Sequence, residues 1–179
     1  MCELDRRDLM TGAALIAAGA TLAATDAAAQ APPRAPPRYT PQPFPFDPRA
    51  VPAFSERLLT SHHDNNYAGA VARLGAIQAQ LAGTDFATAP GFLLNGLKRE
   101  ELLATNSMIL HELYFASLGR GGGRPGAALA RRIESDFGSH DRWRAEFVAM
   151  GKALGGGSGW VLLTLSPRVG GLVNQWAFD

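Results

Sequence analysis

The stretch SGWVLLTLSPRVGGLVNQWAF, residues 158–178, decides the fold class because its hydrophobic period differs from that of the rest of the chain. Two runs, residues 159–165 and 171–177, flank a Pro-Arg-Val-Gly turn. Short apolar runs on either side of such a turn predict a β-hairpin. A lone hairpin is only marginally stable in water, so we expect it to need further strands or a cover of helices.

The region before this hairpin has the period of helices. Apolar residues at spacings of three or four, or their multiples, predict a first helix over residues 53–82. Its predicted apolar face consists of Phe54, Leu58, Leu59, Ala70, Leu74, Ile77 and Leu81. A second helix fits residues 97–119. Asn95 is its candidate N-cap, and Glu100 and Glu101 fall in its first turn, where the helix dipole favours acids.

Glycines separate the remaining elements. The sequence GRGGGRPG, residues 119–126, is the clearest internal boundary. A third helix is predicted over 126–137 and stopped by Gly138, and a fourth is predicted over 140–154 with Ser139 as its N-cap. The order is therefore a helical hairpin, a glycine hinge, two helices and two strands. This order predicts an α+β fold, with an N-terminal antiparallel helical hairpin followed by an α/β domain that contains an antiparallel sheet.

The N-terminal residues differ from the rest in composition. In residues 1–30, Arg6 and Arg7 precede a small apolar run and an A-x-A pattern, which predicts an export signal that resembles a twin-arginine signal. The apolar run is shorter than the roughly 20 residues of a membrane span, so we expect cleavage and a periplasmic or exported protein without membrane contact. An uncleaved membrane anchor is the alternative. Residues 31–52 are a Pro-rich linker.

These boundaries predict a helical hairpin domain at 53–119, a glycine hinge at 120–125 and a C-terminal α/β domain at 126–179. The chain has 179 residues, of which 46% are hydrophobic and 18% are charged, as in an ordinary globular protein with a full core. A net charge of +1 argues against a nucleic-acid partner. Cys2 is the one cysteine, which excludes an intramolecular disulfide and a cysteine-based zinc site.

Histidines on the two predicted hairpin helices suggest a metal site. His111 shares a largely apolar helix face with Ala104, Ser107, Tyr114, Phe115 and Leu118. On the first helix, periodicity does not choose between His62 and His63. Antiparallel neighbouring helices let one histidine from each approach the other, and neutral imidazole is a ligand for Mn, Fe, Cu or Zn. The alternative is a hydrogen-bonded core histidine that binds no metal.

Residues 44–175 resemble the iron/manganese superoxide dismutase family. The resemblance is carried by SHHDNNYAGAVARL, NSMILHELYFASLG, IESDFGSHDRWRAEF, GGGSGW and NQW. It implies a helical hairpin followed by an α/β domain with a three-stranded antiparallel sheet, of which this sequence predicts two strands. It also implies that superoxide is converted to dioxygen and hydrogen peroxide at one Mn or Fe ion per chain. Family members commonly form homo-oligomers, either dimers or tetramers.

The resemblance assigns a role to individual residues. It implies that His62, rather than His63, is the first metal ligand and that His111 is the second. Trp160, the tryptophan of GSGW, would line the active site as a neighbour of the metal.

Gln175 matches a family glutamine that hydrogen-bonds the metal-bound solvent, a contact that tunes the redox potential of the metal. A glutamine on this strand, rather than at Ser107 on the second helix, resembles the manganese arrangement and favours Mn over Fe. Asn66 and Ala70 stand where the family usually has a further histidine and a gateway tyrosine. Tyr67 is a candidate substitute for that tyrosine, although a packing role is the simpler interpretation.

The family completes its site with an Asp-x-Trp/Tyr-Glu-His element on and after the third strand. This sequence ends at Asp179 before such an element, so we expect a C-terminally truncated member with two of the four protein ligands. The alternative function is an inactive remnant with weak or no metal binding. A third hypothesis is an export-linked scaffold that uses residues 31–49 for partner contacts.

Overall fold

A computed structural model describes residues 38–119, 123–155 and 157–178 of the chain, which belong to one unit. The predicted export signal, residues 1–30, lies outside the described residues. The helices and strands follow one another as α1 (Glu56–Ser61), a π-helical turn (His62–Tyr67), α2 (Ala68–Ala82), α3 (Gly91–Ser117), α4 (Ala127–Phe137), α5 (His140–Ala153), β1 (Trp160–Ser166) and β2 (Gly171–Ala177). The predicted α+β class is confirmed. None of the described helices combines the length and the apolar character needed to cross a membrane.

The helical hairpin is closed by apolar side chains of α2 and α3. Its main core cluster consists of Leu74, Ile77, Leu81, Leu97 and Ala104. A second cluster lies nearer the π-helical turn and consists of Tyr67, Val71 and Phe115, with Phe44 and Phe46 packed against it. These two phenylalanines belong to the N-terminal arm, which we define as residues 38–52. The arm therefore supplies part of the wall around the turn.

The first helix is shorter and less regular than the sequence predicted. Ser55 is its N-cap and accepts a hydrogen bond from the Leu58 N–H, so Phe54 lies before the helix. Phe54 is 36% exposed and Leu58 is 53% exposed, which contradicts their assignment to the apolar face. Neighbouring residues of a helix point about 100° apart, and of the pair Leu58 and Leu59 only Leu59 faces inward.

The second predicted helix begins at Gly91, which is earlier than predicted. Its N-cap is Pro90. The Pro90 carbonyl accepts hydrogen bonds from the N–H groups of Leu93 and Leu94. Asn95 therefore lies inside α3, and its assignment as an N-cap is wrong. Glu100 and Glu101, expected in the first turn, lie in the third turn, and each forms an ion pair. Their partners are Arg73 on α2 and Lys98 on α3.

The C-terminal elements follow the sequence prediction closely. Gly138, with φ of 84°, ends α4, and the Ser139 hydroxyl accepts a hydrogen bond from the Arg142 N–H at the start of α5. The two strands pair antiparallel, with Trp160 opposite Ala177 and Ser166 opposite Gly171. The described residues contain this one sheet of two strands.

Asp136 connects β2 to α4. Its carboxylate accepts hydrogen bonds from the Leu172 N–H at 2.7 Å and from Arg132 Nε at 2.6 Å. The Leu172 N–H, and after it the Arg132 guanidinium, lower the pKa of Asp136 below its usual value. This carboxylate therefore holds the β-hairpin against α4.

Candidate metal centre

The two hairpin histidines meet in the interior. His62 is the first residue of the π-helical turn, and its Nε2 atom lies 3.1 Å from Nε2 of His111 on α3. The ring centroids are 4.9 Å apart. Single π-helical turns inside α-helices are rare and occur frequently at functional sites. The structure thus brings together the pair of imidazoles that the resemblance selected.

The hydrogen bonds of His111 determine which of its nitrogens is free. His111 is 4% exposed, and its Nδ1 lies 2.7 Å from the backbone oxygen of Ser107, one turn earlier in α3. A carbonyl oxygen only accepts, so Nδ1 carries the proton and donates. In the neutral ring the lone pair is then on Nε2, the atom that faces His62. Metal-ligating histidines are oriented by this kind of contact.

His62 has the electrostatic environment of a neutral ligand. Burial, followed by the proximity of His111, lowers the pKa of His62 below its ordinary value of 6.5. Both nitrogens can bond one ion, because their separation of 3.1 Å is less than two metal–nitrogen bonds of about 2.0–2.1 Å each. Within the described residues no group of three or more His, Cys, Asp or Glu side chains is arranged to hold a metal. The pair fits a first-row transition metal as two nitrogen ligands of one ion.

His63 faces the N-terminal arm, which decides between the two adjacent histidines that periodicity left open. Its Nε2 lies 2.8 Å from the Gln42 carbonyl oxygen, and its Nδ1 lies 2.8 Å from a carboxylate oxygen of Asp64. Phe44 stacks on the ring with centroids 4.4 Å apart. Both nitrogens of His63 are therefore occupied by contacts on the side of the arm.

Aromatic rings surround the histidine pair. The Trp160 ring lies 4.8 Å from the His111 ring, and the Tyr114 ring lies 5.5 Å from the His62 ring. Burial raises the pKa of Tyr114 above its ordinary value. Phe115, at 3% exposure, lies 5.5 Å from the His62 ring on another side. Trp160 therefore lies beside one of the two histidines, and its role as a neighbour of a metal stays a prediction. These rings reduce the contact of the imidazoles with water.

Gln175, the predicted partner of a metal-bound solvent, lies on β2 and does not contact the histidine pair. It lies opposite Leu162 on the sheet, and because Trp160 is opposite Ala177, the antiparallel register puts Gln175 and Trp160 on the same face. Gln175 is exposed, and among the described residues no side chain hydrogen-bonds to its amide group. The structure therefore places Gln175 on the correct face without bringing it to either histidine, and its role stays a prediction.

The sequence analysis missed Glu112, which contacts the candidate residue Tyr67. Tyr67 is 1% exposed, and its hydroxyl accepts a hydrogen bond from the Gln42 N–H at 2.8 Å and donates one to Glu112 Oε1 at 2.9 Å. Burial raises the pKa of Tyr67. The hydrogen bond from the Gln42 N–H lowers this pKa, and the contact with Glu112 raises it. The signal for Glu112 was its acid group inside the apolar run MILHELYF.

Tyr67 is buried and does not face solvent as a gateway residue would. Asn66 is exposed, and Ala70 is 8% exposed in the hairpin core. Burial thus argues against the gateway interpretation of Tyr67, and the two hydrogen bonds of its hydroxyl go beyond packing alone.

Comparison with known proteins gives a consistent group of relatives. Residues 125–178 match the model of the C-terminal domain of iron/manganese superoxide dismutases. A protein named superoxide dismutase [Fe] from Cupriavidus metallidurans is 67% identical over 138 residues, which cover 77% of this chain and 70% of the relative. Superoxide dismutase [Mn] 2 from Haloferax volcanii is 36% identical over 68% of this chain and 60% of its own length. Superoxide dismutase [Mn] 1 from Halobacterium salinarum is 37% identical over 74% and 65%.

Proposed function

The chain belongs to the iron/manganese superoxide dismutase family of enzymes, and we propose that it disproportionates superoxide at one ion bound by His62 and His111. The observation that carries the proposal is the 3.1 Å approach of the two Nε2 atoms. The 67% identity to a protein named as an iron superoxide dismutase supports the same reaction. The chain spans 60–70% of the length of the relatives described above, so the activity of the whole protein is part of the proposal.

The bound ion would supply the two one-electron steps that convert two superoxide anions and two protons into dioxygen and hydrogen peroxide. The residues of the chain hold and shield the reacting position. The Ser107 carbonyl keeps the proton of His111 on Nδ1, so that Nε2 is available for the ion. Trp160 and Tyr114 keep bulk water away from the rings. We propose that the Gln175 amide hydrogen-bonds a solvent molecule at the site and thereby helps to deliver a proton.

We infer that iron is the metal of this chain. The position of Gln175 on β2 favoured manganese, but the names of the relatives do not support that preference. The relative with 67% identity is named as an iron enzyme, whereas the relatives at 36% and 37% are named as manganese enzymes. Reconstitution of the metal-free chain with each ion, followed by an activity assay, tests this inference. Higher activity with manganese than with iron would contradict it.

The principal test uses the purified full chain, loaded with iron or manganese and dialysed. We expect about one ion per chain and catalysed loss of superoxide. The second candidate is a member of the family that folds but holds no metal. It is favoured by the described residues, which bring two imidazoles together and no third ligand. A folded chain that loses all of its metal on dialysis and leaves superoxide decay unchanged would support the second candidate.

We also propose that the chain is exported to the periplasm and acts as a homo-oligomer. Arg6 and Arg7 ahead of an apolar run support export by the twin-arginine route, which carries folded proteins. Replacing both arginines by lysine should retain the protein in the cytoplasm, as measured by cell fractionation. Light scattering of the purified chain tests for a dimer or tetramer.

A further inference from the structure

Three segments of the chain meet at the hydroxyl of Tyr67. The oxygen accepts from the backbone N–H of Gln42 in the N-terminal arm and donates to the carboxylate of Glu112 on α3, at 2.8 Å and 2.9 Å. Tyr67 itself closes the π-helical turn that His62 opens. We propose that Tyr67 is a positioning residue, whose hydroxyl fixes the position of the His62 imidazole relative to the His111 imidazole. This inference rests on the proposed function, because the pair it positions is the proposed metal site.

The Tyr67–Glu112 hydrogen bond lies close in sequence to both histidines. His62 and Tyr67 are the first and last residues of one six-residue turn, and Glu112 directly follows His111. The hydroxyl therefore joins the segment that carries one imidazole to the segment that carries the other. An unsatisfied polar group in the interior is costly, and an amide oxygen can accept the hydrogen bond of the hydroxyl as a carboxylate oxygen does. Since Tyr67 is 1% exposed, its hydroxyl has little access to water as an alternative partner.

The arm reinforces the same connection from outside. His63, next to His62, contacts the Gln42 carbonyl oxygen at 2.8 Å, so both polar backbone groups of Gln42 point at the turn. Phe44 packs between His63 and Phe115, with ring centroids 4.4 Å and 5.2 Å away. A π-helical turn is an uncommon conformation, and contacts from outside the helix stabilise this one. The arm and the Tyr67 hydroxyl together supply them.

The test compares four variants of the full chain. Tyr67→Phe keeps the buried ring and removes only the hydroxyl, and Glu112→Leu removes its acceptor. Glu112→Gln keeps an acceptor oxygen and should rescue the connection. Tyr39→Phe is the matched control, because Tyr39 is an exposed tyrosine of the same arm with no side-chain hydrogen bond among the described residues. Thermal unfolding followed by circular dichroism checks that each variant is folded, and a variant that fails to fold is replaced by the other disrupting variant.

The first readout is the dissociation constant for Mn²⁺ added to the metal-free chain. We expect it to rise about tenfold in Tyr67→Phe and in Glu112→Leu, which is the effect of losing an outer-shell contact, and to stay within about twofold in Glu112→Gln and Tyr39→Phe. The second readout is the NMR signals of the imidazole nitrogens in the metal-free chain. The signals of His62 and His111 should shift in the two disrupting variants and remain in place in the other two.

The outcomes separate this inference from the proposed function. A parent chain that binds no ion would contradict the proposed function, and the NMR shifts would still support or overturn the role of Tyr67. Unchanged affinity and unchanged nitrogen signals in Tyr67→Phe would overturn the inference. Equal losses in Glu112→Gln and Glu112→Leu would also overturn it, because the charge of Glu112, rather than its hydrogen bond to Tyr67, would then carry the effect.

Discussion

The helical hairpin and the C-terminal elements are stabilised in different ways. From α1 to α3 the buried side chains form continuous apolar clusters, whereas from α4 onward Ile133 is the only buried hydrophobic side chain within the described residues. The C-terminal elements rely instead on specific polar contacts. Trp143 Nε1 donates to the Asn174 side chain at 3.0 Å, and Asn174 donates to Glu146 at 2.9 Å.

The comparison shows that in the helical hairpin the buried core and the proposed metal ligands lie in the same place. His62 and His111 lie against the second apolar cluster of the helical hairpin, where both rings neighbour Phe115. The C-terminal elements contribute the Trp160 ring at 4.8 Å from His111 and leave Gln175 exposed. We therefore expect substitutions in the core of the helical hairpin to reduce both stability and metal binding. A substitution in the sheet should be able to change one of these properties without the other.

The largest effect is expected for His111→Ala. Loss of a direct ligand should reduce bound metal and superoxide dismutation by more than the roughly 10- to 100-fold that is usual for outer-shell partners. Metal analysis and an activity assay measure the change. His140→Ala is the control, because His140 is an exposed histidine at the start of α5. Equal losses in both variants would break the comparison, since the C-terminal histidine would then matter as much as the one in the hairpin.

Truncation of a core leucine tests the difference in packing. Leu74→Ala, at a residue that is 1% exposed on α2, should lower the free energy of unfolding by about 2–5 kcal/mol because it leaves a cavity. Leu165→Ala, at a residue that is 66% exposed on β1, should change it by less than about 0.5 kcal/mol. Urea unfolding of both variants gives the two values. Similar values would mean that the sheet is as well packed as the hairpin.

Removal of a helix cap should cost the same in both regions, because capping is a local interaction. Ser55 accepts the Leu58 N–H at 3.2 Å, and Ser139 accepts the Arg142 N–H at 3.1 Å. Ser55→Ala and Ser139→Ala should each lower the free energy of unfolding by about 1 kcal/mol. A much smaller loss for Ser139→Ala in the same urea experiments would sharpen the comparison, since it would show that α5 unfolds separately from the hairpin.

The smallest expected effect is a pH dependence that originates in the hairpin. The pKa of His62 is lowered in the folded chain, mainly by burial, so below about pH 6.5 the unfolded chain binds more protons than the folded one. The stability associated with neutral His62 is therefore present above pH 6.5 and is lost as the pH falls through the lower folded pKa. Urea unfolding of the metal-free chain between pH 8 and pH 5 should show this loss.

Two glutamine variants locate the origin of the pH dependence. His62→Gln should reduce the loss of stability on acidification, because the titrating group is gone. His140→Gln should leave it unchanged, since His140 is exposed. An unaltered pH profile in His62→Gln would contradict the assignment of the effect to burial of this imidazole.

Local signals in the sequence predicted most of the fold. Gly138, Ser139 and the turn after Ser166 act within a few residues of their own position, and the elements they bound were predicted within one residue. Asn95 was misassigned because a capping side chain was given more weight than Pro90, whose carbonyl starts the helix. Leu58 was misassigned because multiples of three and four residues lose phase over long spacings.

The candidate site was predictable only as far as its residues lie in recognisable motifs. The resemblance selected His62, His111 and Trp160, the last of them as the tryptophan of GSGW. The Tyr67–Glu112 contact could not be predicted, because it joins residues 45 positions apart through a turn whose geometry the sequence pattern does not reveal. Periodicity assumes a regular helix, and the π-helical turn at His62–Tyr67 is a departure from that assumption.

The π-helical turn gives this part of the chain room for one additional residue within a continuous helical segment. A turn of π-helix holds one residue more than a turn of α-helix, so deleting one residue between His62 and Tyr67 would convert the turn to ordinary α-helix. Because the wider turn already absorbs the extra residue, α1 and α2 would keep nearly the same faces toward the interior, and Leu59 and Leu74 could both remain buried. A difference of one residue in length at this turn is therefore compatible with the same packing of the helical hairpin.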